Sequence, residues 1–255
     1  MRKKINTLTI FFTTISATVF AGGKNDTIIS GVPVEFEYRI SIFPDSWIAE
    51  PINAKGEQIS DDEIMRSKIS LQNAMHKYPE IILQNNLHAV YYLKEMSFYD
   101  VGFGGTNSND ALYLTNDGIE NGYTDAYMES TFHHEFSSIL YRNYPDFLDR
   151  SAWDAISDQG NADPEAGVGA IRNNSASTEI DTALCRYGFL TQYSMSDFEN
   201  DLNMLAENIF NPAPDFWNVV DTYPLIKTKV RLLIRFYHSL DPMFNERYFR
   251  GLVSY

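Results

Sequence analysis

The segment from Tyr127 to Tyr141 constrains the architecture more than any other part of the chain. Its apolar residues Phe132, Phe136, Ile139 and Leu140 recur at i, i+4, i+7 and i+8, the spacing that lines up side chains on one face of an α-helix. A stripe of two aromatic and two branched aliphatic residues needs a neighbour of equal apolar area, so this helix is expected in the core. The same helix carries His133, His134 and Glu135 in succession. Polar groups held in an apolar element must find partners or face a cleft.

The residues around this helix point to an α+β fold, with a small mixed sheet first and a mostly helical C-terminal half. Val34 to Ile40 alternates apolar and charged residues, Leu87 to Leu93 is rich in Val and Tyr, and Ala111 to Leu114 is a third short apolar run. Each reads as a strand. Val101 to Asn109 is rich in Gly and Asn and reads as a loop; no Gly-Lys-Ser/Thr follows, so it is not a phosphate loop. Ser60-Asp61-Asp62-Glu63 and Ser196-Asp197-Phe198-Glu199 have the pattern of capping boxes. The first opens a helix with Ile64, Ile69, Leu71 and Met75 as apolar positions and an end before Pro79. The second opens one with Phe198, Leu202, Leu205 and Ile209 on one face and an end before Pro212. A last helix is expected over Pro224 to Leu240, with Leu225, Val230, Leu233, Ile234 and Phe236 inward. Residues 156–179 read as a long loop.

Arg2, Lys3 and Lys4 precede an uncharged apolar stretch, Ile5 to Phe20, and Val19 and Ala21 stand at the −3 and −1 positions of a small-residue cleavage site. This is the grammar of a secretory signal peptide over residues 1–21, followed by a single domain over 22–255. Export to the periplasm or the extracellular space is therefore expected, with no membrane span left after cleavage. Losing three cations takes the net charge from −14 to −17, which disfavours nucleic acid as a partner. Cys185 is the only cysteine. That excludes an intrachain disulfide and a thiolate zinc cage, so stability must come from an ordinary core.

In a His-Glu-x-x-His helix the two imidazoles, four residues apart, share one face and one Zn²⁺, and the glutamate takes the proton of the metal-bound water. Here His134 and Glu135 supply the first two positions, and Ser138 occupies the place of the second histidine. Beginning at His133 gives Ser137 instead. His133 and His134 differ by about 100° around the helix and do not converge on one ion. No Gly-x-Ser-x-Gly elbow supports a serine nucleophile.

Three stretches carry a resemblance: Gly102-Phe103-Gly104-Gly105 with the strand Leu112-Tyr113-Leu114, then Phe132 to Leu140, then Gly188-Phe189-Leu190-Thr191-Gln192-Tyr193-Ser194 leading into Glu199-Asn200-Asp201-Leu202. Their order and content resemble the zinc-binding metallopeptidases of gluzincin type, including bacterial zinc metallohydrolases associated with nutrient import. The final helix with Lys227, Lys229, Phe236, Tyr237 and Asp241 is similar as well, so the resemblance covers roughly residues 80–245.

The resemblance implies a zincin-like fold and a Zn²⁺ cofactor. It implies His134 as metal ligand, Glu135 as general base, and a third ligand from the helix after the active one. Glu199 is the nearest match for that ligand, an ungapped reading gives Asn200, and Glu207 two turns on is the alternative. Asp201 is implied as a residue that supports the ligands, and His133, beside His134, reads as either a supporting or a surface residue. His76, His88 and His238 lack partner spacing. Two functions follow as expectations. One is a peptidase that hydrolyses peptide or protein substrates with metal-activated water. The other is an inactive metallopeptidase fold kept as a binding module of the cell envelope.

Overall fold

The computed structural model describes residues 23, 25–159 and 176–252; the expected signal segment and most of the expected 156–179 loop lie outside them. The architecture is α+β. A five-stranded sheet has the order β1-β2-β4-β8-β7, built from β1 (Thr27–Ile29), β2 (Val32–Glu35), β4 (Ala89–Leu93), β8 (Ala111–Thr115) and β7 (Gly105–Asn107). The pairs β2–β4 and β4–β8 are parallel, while β1–β2 and β7–β8 are antiparallel hairpin-type pairings at the two edges. A second, three-stranded antiparallel sheet joins β3 (Lys55–Gly56), β5 (Met96–Phe98) and β6 (Val101–Gly102).

The central strands explain themselves. Ala89–Leu93 and Ala111–Thr115 are continuous apolar runs, as parallel strands covered on both faces require. One face packs on the main core through Val90, Tyr92, Leu112 and Leu114, and the other on a smaller aromatic cluster through Leu93, Ala111 and Tyr113. The expected strand over Val34–Ile40 is shorter, ending at Glu35. The expected loop over 101–109 contains two short strands instead. Gly, Thr and Asn have weak strand preference on their own. β8 imposes the conformation by pairing Gly105 with Leu114 and Asn107 with Leu112.

The helices are α1 (Asp45–Ile48), α2 (Asp61–Met75), α3 (Glu80–Asn86), α4 (Asp125–Asn143), α5 (Arg150–Gln159), α6 (Thr182–Cys185), α7 (Phe198–Phe210), α8 (Phe216–Thr222), α9 (Pro224–Leu240) and α10 (Glu246–Arg250). Helix α4 crosses the sheet with Phe132, Phe136, Ile139 and Leu140 fully buried, each worth roughly 1.5–3 kcal/mol of burial. Thr124 caps its start by accepting from the Tyr127 N–H.

The two capping boxes work differently from their sequence pattern. Ser60 stands at the N-cap of α2 but makes no side-chain cap bond; the Glu63 N–H donates to the Ser60 carbonyl instead, and the Glu63 carboxylate accepts from Arg66 and Asn116. At α7 the cap is Asp197, which accepts from the Asn200 N–H, and Ser196 instead donates to the Tyr193 carbonyl. Ile69, expected in the core, is 53% exposed. The buried series of α2 is Ile64, Ser67, Leu71 and Ala74, a helical period that leaves Ile69 on the far side. Among the described residues, no helix is long and apolar enough to cross a membrane.

Candidate functional site

Helices α4 and α7 lie antiparallel, and a ladder of side-chain contacts joins them. Ser130 accepts from Asn211 (3.1 Å). His134 Nδ1 meets Glu207 Oε2 at 3.0 Å. Asn203 Nδ2 donates to Ser138 Oγ at 2.7 Å. Arg142 Nη1 donates to Glu199 Oε1 at 3.0 Å. Each step of four residues forward along α4 is matched by four back along α7, so the register is set by one helical turn per rung.

This register places each residue singled out from the sequence. Glu207 is brought to His134. Glu199 is two rungs away, on the order of 12 Å along the helix, where it is 43% exposed and paired with Arg142. Ser138 is buried and bonded to Asn203, whose carbonyl also accepts from Ser137; the Ser137 hydroxyl lies within 2.9 Å of the His134 carbonyl as well. His133 points about a quarter-turn away. It is fully buried, with Nδ1 2.9 Å from the Tyr78 hydroxyl and Nε2 3.6 Å from Glu129. Asp201 accepts from Trp153 Nε1 and Lys229 Nζ, both at 2.7 Å. Neither His133 nor Asp201 has a hydrogen bond or ion pair with His134 or Glu207. His76 and His88 are exposed, and His238 bonds the Phe244 carbonyl.

Glu135 faces the sheet edge. It accepts from Asn107 at the end of β7, and Arg142 bonds the same asparagine and the Ser108 carbonyl. The edge strand passes close because Gly105 has no side chain. A Cβ there would stand 2.4 Å from Thr131 Cγ2, 3.1 Å from Glu135 Cγ and 3.2 Å from Glu135 Oε1. Gly105→Ala is therefore expected to cost about 1–3 kcal/mol by overpacking. Gly102→Ala, which meets nothing within 4 Å, serves as the neutral control. Urea denaturation of both checks this, and equal midpoints would refute the close approach.

The charges of the site are coupled. Burial pulls against protonation of His134, but its bond to Glu207 and the fields of Glu135, Glu207 and Glu199 win and raise its pKa. Burial raises Glu135, against His134 and Asn107, and raises Glu207, against the bond from His134. His134, its pKa raised, is thus bonded to Glu207 and adjoins Glu135 in the chain, with the Tyr193 ring 6.0 Å from its own.

A catalytic zinc ion takes three protein donors. His134 and Glu207 converge here, and the residue one turn further along α4, Ser138, is a serine tied to an amide. Hydroxyl and amide groups are poor zinc donors beside imidazole, thiolate or carboxylate. Among the described residues no three His, Cys, Asp or Glu side chains are grouped to hold a metal. The donor set does not fit a catalytic zinc.

Asn203, Asn107 and Arg142 were not singled out from the sequence. A signal for the first and last is present: Ser130, His134, Ser138 and Arg142 on one helix and Glu199, Asn203, Glu207 and Asn211 on the other are polar series of period four. Asn107, on a strand of three residues, leaves no comparable trace.

The sequence matches no protein-family model and no curated protein. The fold is similar to a crystal structure from Bacteroides caccae of a "putative zinc-binding metallo-peptidase", with a TM-score of 0.54 and 14% sequence identity over 81% of this chain and 79% of that one. The fold of this chain is metallopeptidase-like.

Proposed function

We propose that this chain is an exported metallopeptidase-fold protein that holds peptide or protein ligands in the cell envelope without cutting them. The observation that carries this reading is the Ser138–Asn203 hydrogen bond, which occupies the place of a second metal-binding imidazole and leaves His134 with Glu207 as its partner. The sheet edge that Glu135 faces is suited to an extended chain. β7 is an antiparallel edge strand, and an unpaired edge can accept another strand by main-chain hydrogen bonds. The basic and apolar start of the sequence supports export.

The rival reading is an active zinc peptidase with Glu135 as base. The 3.0 Å approach of His134 to Glu207 and the zinc-binding description of the structural neighbour favour it. Elemental analysis of the purified mature protein separates the two. The expected result is well below one zinc per chain, an unchanged melting temperature in chelator, and peptide ligands recovered intact. One zinc per chain, with cleavage abolished by chelator, would establish the peptidase instead.

A further inference from the structure

Ser138 and Asn203 face each other from two helices, and both are buried, at 1% and 2% exposure. Their contact is a single rung between His134–Glu207 on one side and Arg142–Glu199 on the other. We infer that these two residues act as one unit that closes the space beside His134 and Glu207 to a divalent metal, so that a metal site returns only when both are changed. The inference rests on the metallopeptidase-fold reading above and goes beyond it by coupling the two residues, so that neither change alone reopens the site.

The geometry supplies the argument. Helical side chains lean back toward the N-terminus of their helix, over the preceding turn. A longer side chain at position 138 would therefore extend over the turn that carries His134, toward its contact with Glu207. In the rotamer that Ser138 holds, such a side chain would put a carbon where Oγ now stands, 2.7 Å from Asn203 Nδ2 and closer than carbon and nitrogen pack. Replacing Ser138 alone forces an imidazole against a buried amide in a packed interior, where added volume is paid for in strain. Replacing Asn203 alone opens space but brings no donor.

Changing both removes the obstruction and adds the donor. The Ser137 hydroxyl, which loses Asn203, keeps the His134 carbonyl within 2.9 Å, so no buried hydroxyl is orphaned. The double change thus leaves a set of two imidazoles and one carboxylate, the donor types that zinc accepts.

The test uses the mature protein and four forms: wild type, Ser138→His, Asn203→Ala, and Ser138→His with Asn203→Ala. Each is titrated with Zn²⁺ by calorimetry and with Co²⁺ by visible absorption, after circular dichroism has verified the fold. The double variant is expected to bind one Zn²⁺ about a hundredfold more tightly than either single variant, with a tetrahedral Co²⁺ spectrum. Ser138→Glu with Asn203→Ala provides a second carrier of the donor, should the imidazole prevent folding.

Ser138→His binding as tightly as the double variant would overturn the coupling while leaving the metal-free reading of the natural protein standing. Folded double variants that bind no better than wild type would overturn the inference outright. Stoichiometric zinc in the wild type would instead refute the proposed function, and with it the closed site.

Discussion

Asp201→Ala is expected to destabilise the protein by about 3–5 kcal/mol, the range for breaking one side of a buried ion pair. Asp201 is 2% exposed and Lys229 is fully buried. Lys229 Nζ lies 2.7 Å from Asp201 Oδ2 and donates also to the Gly188 carbonyl at 2.7 Å. It sits over the rings of Phe189 and Trp153 at 4.4 and 5.6 Å. Burial raises the pKa of Asp201 against the pull of Lys229, and lowers that of Lys229 against the pull of Asp201. Each group is therefore tolerated only because the other is there. Alanine at 201 strands a cation among aromatic rings and removes the acceptor of the Trp153 indole N–H.

Chemical denaturation at neutral pH measures this loss, and a fall in melting temperature of roughly 10 °C should accompany it. The control is Asp201→Leu with Lys229→Met. Replacing both members of a buried pair with apolar residues is often neutral, so the double variant should recover the part of the loss due to the stranded charge, short of about 1–3 kcal/mol for the Trp153 N–H left without its acceptor. A single variant within about 1 kcal/mol of wild type would show that water reaches this pair. The result also bears on function. Asp201 holds the start of α7 to α9 and to the Gly188 turn, and so fixes the helix on which Glu207 meets His134.

What the sequence made legible follows from how locally each feature is determined. Helix α4 could be read because its core stripe and its length are properties of one segment. The central strands could be read because parallel strands are continuous apolar runs. The strand β7 could not, since three residues of Gly, Thr and Asn become a strand only when β8 offers its edge. Ile69 was misplaced because an apolar residue near the right spacing looks like a core position until the polar Ser67 and Ser70 prove to be the buried ones.

The site divides in the same way. His134 and Glu135 stand out within one helix. The choice between Glu199 and Glu207 depended on the register of α4 against α7, which is a tertiary fact. Equally, Ser138 stands out in the sequence as a departure from the His-Glu-x-x-His spacing, but its partner Asn203 lies 65 positions away. The resemblance attaches Asp201 to the site, and a place beside His134 attaches His133. In the fold a turn of about 100° sends His133 into the core, and Asp201 is claimed by Lys229.

Acid should weaken the protein through His133, with a loss of about 3 kcal/mol as the pH falls from 6.5 to 4. Burial lowers the pKa of His133 to about 4, assisted by Lys77 and opposed by Glu129. The unfolded chain binds the proton near 6.5 while the folded chain resists it until about 4. Between those values the unfolded state holds more protons, so stability is full above the window and drains away on descending through it. Glu129, whose pKa is lowered by His133 and Lys77 in spite of burial, adds to the loss in the same direction. His134 acts in the opposite sense and in another range. Its pKa is raised, so its contribution is complete below the unfolded value and disappears only as pH rises through the folded one.

The variant His133→Phe isolates the effect. The His133 ring is stacked on Phe210 at 4.8 Å with 15° between the planes, a contact that a phenyl ring can keep. Losing the partner of the Tyr78 hydroxyl imposes a cost of about 1–3 kcal/mol, and that cost is the same at every pH. The expected signature is therefore a lower but flatter stability profile between pH 6.5 and 4. Parallel profiles for the two proteins would mean that His133 takes up its proton as readily in the folded chain as in the unfolded one, which its complete burial against Phe132, Tyr78 and Phe210 forbids.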